Sequence, residues 1–268
     1  MDIHQRRPAD NWASGDTYEP YVGRWSRRVA QAFLPWLAVS PGSRWLDVGC
    51  GTGALTQAIL QRMAPQFIKG IDRSADYVAF AQGHIQDQRA QFEVGDAQDL
   101  PVETASYDVV VSGLVLNFVP QLEQAVKEMS RAARPGGTVA AYVWDYAGKM
   151  QFMRHFWNAA AALDSRAVDL DEGHRFPVCS PQALSALFQV AGLRNIEVQA
   201  LDIDTDFKDF DDFWTPFLGG QGPAPSYAMS LSESSRAALR ERIRAALPFA
   251  LDGSIPLVAR AWAVRGTC

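Results

Sequence analysis

Apolar positions along the first 145 residues change spacing repeatedly, and each change marks a boundary between helix and strand. Val29, Phe33 and Leu37 recur four residues apart, which predicts an amphipathic helix over about residues 26–37. Residues 43–48 form a short apolar run that ends in a glycine turn, and Leu55, Ile59 and Met63 then restore helical spacing. The same alternation continues. Residues 67–71 predict a second strand ending at Asp72, and Tyr77, Phe80 and Ala81 lie on the helix after it. Further strands are predicted at 91–94, 107–112 and, after the Pro135-Gly136-Gly137 turn, 138–144, with a helix over 122–133 between the last two. Strands separated by helices imply a parallel sheet covered on both faces, an α/β fold.

The pattern loses this regularity near residue 146. Residues 147–176 read as helical and carry the large apolar side chains Phe152, Phe156 and Trp157. Ser180 suits a helix N-cap with Pro181 at the first helical position, and Gly192 stops that helix. Residues 195–207 alternate as a strand does, and 257–264 predict a last strand. Between them, 208–249 is irregular, with Phe213, Trp214, Phe217 and a glycine-proline break at 219–223. The two irregular segments are natural material for a helical cap over the carboxyl ends of the strands, where open α/β sheets bind ligands. We therefore read residues 1–268 as one domain, with its core at about 26–145, 180–207 and 255–266 and its cap at about 146–179 and 208–250.

Composition narrows the function. A 48% hydrophobic content over 268 residues suffices for one substantial core, and the net charge of −5 disfavours a nucleic-acid partner. The widely spaced Cys50, Cys179 and Cys268 suit neither a disulfide framework nor a metal site, so a reducing cytoplasm is the expected setting. The opening residues hold no apolar signal core, and no run approaches the roughly 18 apolar residues that span a bilayer, so no membrane role is expected.

Candidate chemistry begins at Leu46-Asp47-Val48-Gly49-Cys50-Gly51-Thr52-Gly53. Glycines let the backbone approach a ligand closely, and Asp47 at the strand end can accept hydrogen bonds from an ammonium or from turn amides. Gly49-x-Gly51-x-x-Ala54 also satisfies a looser dinucleotide fingerprint. Asp72, 19 residues beyond Gly53, can take both hydroxyls of a ribose in either kind of cofactor. Asp47 and the Gly95-Asp96-Ala97 run separate the two readings. An acidic residue repels a pyrophosphate beside it, whereas a cationic cofactor is favoured.

Val48-Gly-Cys-Gly-Thr-Gly53, Gly70-Ile-Asp72-Arg-Ser74, Gly95-Asp96-Ala97 and Arg134-Pro-Gly-Gly137 together resemble the motif series of class I S-adenosylmethionine-dependent methyltransferases. Within that class they are similar to the small-molecule group around the ubiquinone/menaquinone C-methyltransferases. The resemblance covers about residues 20–145 and the last strands. It implies a Rossmann-like, seven-stranded, mostly parallel sheet with an antiparallel final hairpin, and S-adenosyl-L-methionine as cofactor. It further implies that Gly49 and Gly51 contact the methionine part, Asp72 the ribose, Asp96 the adenine amino group and Ala97 its ring, with Asp47 and Arg73 as further cofactor-binding candidates. Leu114 and Asn117 would lie near the sulfonium. Asn117-Phe118 stands where many relatives carry a His-His pair, so a family-type catalytic histidine is not implied there.

Other residues keep two readings. Tyr21 or Trp25 can close over a cofactor or pack on the sheet edge, and His155 and His174 can take a substrate proton or lie on the cap surface. Arg236, Arg240 and Arg244 form a helical stripe suited to an acidic partner or to solvent. The aromatic set of the cap can wall an apolar pocket or hold the cap together, and Cys50 reads as packing. The expected activity is methyl transfer to a small or medium, partly apolar metabolite. A non-catalytic regulator that binds the same cofactor and, less favoured, an NAD(P)-dependent oxidoreductase are the alternatives. Neither the acceptor atom nor the oligomeric state is legible in the sequence.

Overall fold

Seven strands form one sheet in the computed structural model, which describes residues 22–219 and 222–268. They are β1 (Arg44–Val48), β2 (Phe67–Asp72), β3 (Ala90–Val94), β4 (Tyr107–Gly113), β5 (Ala133–Trp144), β6 (Arg194–Asp204) and β7 (Val258–Thr267). Their spatial order is β3-β2-β1-β4-β5-β7-β6. The first five run parallel, and β7 lies antiparallel between β5 and β6. This is the sheet that the motif series implied. The order reverses between β1 and β4, where the loops after the two strands diverge and leave a crevice.

Burial explains the sequence pattern. Val109, Val110 and Val111 of β4 are all buried, as a strand covered on both faces requires, whereas the edge strand β6 alternates between exposed and covered positions. Helix α1 (Arg24–Leu37) buries Val29, Ala30, Phe33, Leu34 and Leu37. The helices α2 (Ala54–Arg62), α3 (Ala75–His84) and α4 (Leu122–Ala132) follow β1, β2 and β4. Strand β5 begins earlier than its apolar run does. Ala133 already pairs with Tyr107, the register then shifts by a bulge, and Arg134 Nε meets Asp108 Oδ1 at 2.8 Å. The Pro135-Gly136-Gly137 segment is thus part of the strand, at the amino end of the sheet.

The cap contains α5 (Gln151–Leu163), a 3-10 turn (Ser165–Leu170), α6 (Glu172–Arg175), α8 (Phe210–Trp214), α9 (Pro223–Ser230) and α10 (Glu233–Ala246), while α7 (Pro181–Val190) belongs to the core. Ser180 Oγ caps α7 by accepting from the Ala183 N–H, with Pro181 at the first position. Aromatic rings join the two cap segments. Phe156 stacks on Phe217 at 4.6 Å between centroids, Phe213 lies 5.5 Å from Phe217, and Trp157 is 5.8 Å from Tyr227. The cap docks at the carboxyl end of β5, where Val258 N–H donates to Gln151 Oε1 and Arg260 N–H to the Lys149 carbonyl.

Inside the cap, Glu172 is buried at 3% exposure and accepts a hydrogen bond from Trp157 Nε1–H. Burial pushes its carboxyl from an ordinary 4.5 up to about 8. A group that holds its proton more tightly when folded stabilises the fold fully below its unfolded pKa and loses that contribution as pH rises through the folded one. Wild-type stability is therefore expected to carry a component from Glu172 that falls by on the order of 1 kcal/mol per pH unit between about pH 5 and pH 8. Glu172→Gln keeps an acceptor for Trp157 and should flatten that component in denaturant unfolding. Parallel slopes for the two proteins would show that Glu172 does not titrate in this window.

Candidate active site

A cavity of about 670 Å³ opens at the carboxyl ends of the first five strands, within the range of small-ligand sites. Its central feature is the turn after β1. Gly49 N–H and Cys50 N–H both donate to the Ile71 carbonyl, at 2.7 and 3.0 Å, and Gly51 N–H donates to Asp72 Oδ2 at 3.0 Å. Three successive amides of the turn are thereby fastened to the end of β2. The other Asp72 oxygen accepts from Ser74 N–H at 2.8 Å, which leaves lone pairs on both oxygens facing the cavity.

The glycines are required for different reasons. Gly49 has φ +75, and a Cβ there would lie 2.5 Å from Val115 Cγ1. Gly51 has φ +52, lines the cavity, and has nothing within 4 Å of a Cβ built on it. Asp47 lies beneath the turn at 1% exposure. Its Oδ2 accepts from Thr56 Oγ1 at 2.7 Å, and its Oδ1 is buried with no hydrogen-bond partner among the described residues. Burial above all, with the charge of Asp72 adding to it and the Thr56 hydrogen bond opposing it, pushes Asp47 from 3.8 up to about 7. Burial also raises Asp72. Two crowded carboxylates with an unanswered oxygen suit a cationic ligand and oppose a pyrophosphate.

A methyltransferase-domain family model matches residues 46–141, from the β1 turn through β5. The chain carries a class I S-adenosylmethionine-dependent methyltransferase domain. The methyltransferase is 28% identical over 188 residues to the demethylmenaquinone methyltransferase of Staphylococcus carnosus, covering 66% of this chain and 76% of that one. The YcgJ protein of Bacillus subtilis has the same fold, with a TM-score of 0.58 at 16% identity over 90% of this chain and 98% of that one. So does phosphoethanolamine N-methyltransferase 2 of Haemonchus contortus in complex with S-adenosyl-L-methionine, at a TM-score of 0.58 and 16% identity, covering 94% and 56% of the two chains. The cofactor of the methyltransferase is S-adenosylmethionine, and the unpartnered Asp47 oxygen and the open space over Gly51 fit its cationic amino-acid end.

Most of the residues expected at the cofactor site do gather here. Asp47, Gly49, Gly51, Asp72, Arg73, Asp96, Ala97 and Leu114 all line the cavity. Asp96 is steadied by Gln98, whose backbone N–H donates to it at 2.9 Å. Leu114 holds the unusual φ of 62, locked by its N–H bond to the Tyr142 carbonyl at 2.8 Å. Asn117 departs from expectation. The 3-10 turn Leu116–Phe118 buries its side chain at 8% exposure away from the cavity wall, and Phe118 lines the cavity instead. Tyr21 lies outside the described residues, and Trp25 packs edge-on to Phe207 rather than lining the cavity.

The histidines also stand apart. His155 on α5 is half-buried, with burial pulling its pKa down, and the exposed His174 lies 3.6 Å from Asp171; neither reaches the cavity. The cap aromatics Phe152, Phe156, Trp157, Phe213, Trp214 and Phe217 are buried against one another and none lines the cavity, so packing is their role. The arginine stripe is also spent within the cap: Arg236 donates to the Ala228 and Leu231 carbonyls, and Arg240 and Arg244 stack on Phe210. Cys50 lines the cavity as a buried thiol whose pKa burial raises, which makes it a poor nucleophile.

The sequence reading missed the aromatic wall. Tyr142, Trp144 and Tyr146 alternate along β5 and its extension, so all three face the cavity. The signal is the period-two run Tyr-Val-Trp-Asp-Tyr over 142–146, whose last two residues lie beyond the strand predicted at 138–144. Val22 and Ser26 on the far rim come from the first turn leading into α1.

Two tests follow from this geometry. Gly51→Ala is expected to cost about 1–2 kcal/mol of stability for its left-handed backbone and to weaken S-adenosylmethionine at least tenfold, because its methyl enters the ligand's space. Gly49→Ala forces Val115 aside and should lower the melting temperature further. Equal unfolding for the pair, with cofactor affinity retained in Gly51→Ala, would refute this division. Because the cation favours ionised Asp47, affinity should tighten roughly tenfold from pH 5.5 to pH 7 as the carboxyl loses its proton. Calorimetry on Asp47→Asn should give weaker binding with that slope removed.

Proposed function

We propose that the methyltransferase acts on a small or medium, partly apolar metabolite held beside the cofactor, and that this acceptor lies over β4 and β5. One observation carries the reading: the cavity has two unlike halves. The acidic half lies over β1, β2 and β3, with Asp47, Asp72 and Asp96, and the aromatic half over β4 and β5, with Phe118, Tyr142, Trp144 and Tyr146. A sensor of the cofactor alone would need only the first half. An oxidoreductase binding a dinucleotide would need to tolerate the two buried carboxylates next to its phosphates.

In this reading Asp47 holds the ammonium of the cofactor, the Gly49–Gly51 backbone admits its amino-acid chain, Asp72 takes the ribose hydroxyls, and Asp96 with Ala97 borders the adenine. Bound there, S-adenosylmethionine supplies a methyl group activated by its sulfonium for in-line displacement. The protein aligns the partners and keeps water away, and the apolar faces of Phe118 and Trp144 suit both tasks. We assign no proton transfer to His155 or His174, which lie off the cavity. Demethylmenaquinone, for which the Staphylococcus relative is named, heads the acceptors to be tested. The net charge of −5 supports a small molecule over a nucleic acid. The free thiols Cys50, Cys179 and Cys268 suit a reducing cytoplasm. No helix among the described residues is long and apolar enough to cross a membrane.

Calorimetric titration with S-adenosylmethionine, S-adenosylhomocysteine and NAD(H) in parallel tests the cofactor half of this reading. Micromolar binding of the first two and none of NAD(H) is expected, with Asp72→Ala at least tenfold weaker because it removes a charge-assisted pair of hydrogen bonds. Methyl transfer from labelled cofactor to a panel of apolar and polar metabolites tests the acceptor half. Turnover confined to strongly polar or anionic acceptors would overturn it.

A further inference from the structure

Tyr142 occupies the line where the two halves of the cavity meet. It pairs in register with Gly113, the last residue of β4, so the two residues project to the same face of the sheet. With no side chain at Gly113, the Tyr142 ring lies flat across the neighbouring strand, toward β1. A Cβ built on Gly113 would stand 2.5 Å from Tyr142 Oη and 2.7 Å from Cζ. On its other side the ring is 4.7 Å from Phe33 of α1, and the residue as a whole is 2% exposed. The Leu114 N–H bond to the Tyr142 carbonyl ties the same residue to the left-handed turn at the cavity wall. The hydroxyl end therefore lies over Gly113, and both residues line the cavity that the glycine turn after β1 shares with Trp144, Tyr146 and Phe118.

A methyl group that passes from cofactor to acceptor must cross that line. On a sulfonium the methyl hydrogens carry positive charge, and an oxygen lone pair beside them forms C–H···O contacts that hold the group in place without reacting with it. We propose that Tyr142 is a methyl-positioning residue, whose hydroxyl oxygen contacts the transferable methyl and makes the site prefer the methylated cofactor to its demethylated product. The inference rests on the reading that the acidic half holds S-adenosylmethionine. The Tyr142 oxygen gains no bond and loses no proton in the transfer; it orients the methyl along the path to the acceptor, and its contact is lost once the methyl has left, so it favours only the methylated ligand.

The test compares the affinities of S-adenosylmethionine and S-adenosylhomocysteine for wild-type protein and Tyr142→Phe by calorimetry, with melting temperatures measured alongside. Phenylalanine keeps the ring on Phe33 and removes only the oxygen. The expected result is a loss of roughly three- to fivefold in preference for the methylated ligand, with affinity for S-adenosylhomocysteine and the melting temperature unchanged. A purely structural role would weaken both ligands alike. Gly113→Ala must displace the phenol end and is expected to move the ratio in the same direction, so it decides the question if Tyr142→Phe does not fold. An unchanged ratio, or equal losses for both ligands, overturns the proposal and leaves the cofactor assignment standing. Wild-type protein that binds neither ligand overturns both.

Discussion

The attachment of the β1 turn to the end of β2 is the constraint on which the site depends. Gly49, Cys50 and Gly51 give their amide hydrogens to Ile71 and Asp72, so the turn cannot open without breaking three hydrogen bonds to the neighbouring strand. That attachment determines where Asp72 points, because one of its oxygens is committed to the turn and the other to the start of α3. It also seals Asp47 beneath the backbone, with Thr56 of α2 on one oxygen. A carboxylate in that position is costly when nothing balances it, and the strain on its ionised form is relieved when a cation arrives. The positions of both carboxylates thus follow from a backbone arrangement.

The two halves of the cavity differ because different structural rules govern them. Over β1, β2 and β3, the strand ends supply Asp47 and Asp72, and the short turns after the strands add glycine backbone and Asp96. Over β4 and β5, the strands themselves deliver large side chains by alternation, and Gly113 makes room for one of them. The cap contributes less to the wall than its composition suggests. Its aromatic rings are consumed in joining 146–179 to 208–250, and it reaches the site through Tyr146, with Phe176 edge-on to Phe118 and tilted against Tyr146.

Much of this was legible in the sequence, for definable reasons. Period and punctuation locate β1 to β4, the helices after them and the Ser180-Pro181 cap, since these depend on neighbours a few residues away. The motif series implied a seven-stranded, mostly parallel sheet with an antiparallel final hairpin, and Asp47, Asp72 and Asp96 do line one cavity; the strand order itself comes from the structure. Side-chain direction was harder to read. Asn117 follows β4 closely enough to be expected in the site, yet the 3-10 turn rotates it inward and presents Phe118. Trp157, Phe213 and Phe217 look like pocket walls by composition, and only the three-dimensional packing reveals that they face one another. The start of β5 was also hidden, because Pro135 and the two glycines after it read as a turn although their backbone joins the sheet at a bulge.

Strand order also bears on how the sheet comes into being. β7 sits between β5 and β6, although both precede it in the chain, and more than a hundred residues separate Trp144 from Val258. Strands β1 to β5 can pair as each leaves the ribosome, but one edge of β5 then presents open amides and carbonyls until β7 arrives. β6 has no strand to pair with before that moment, since its pairing is with β7 alone. The last strand is therefore a wedge that must be admitted, and its alanines at 259, 261 and 263, small and fully buried, allow a late arrival to enter a space already bounded by helices. Until then the open edge of β5 is a surface on which a second nascent chain can pair, at the side of the sheet remote from the β1 turn.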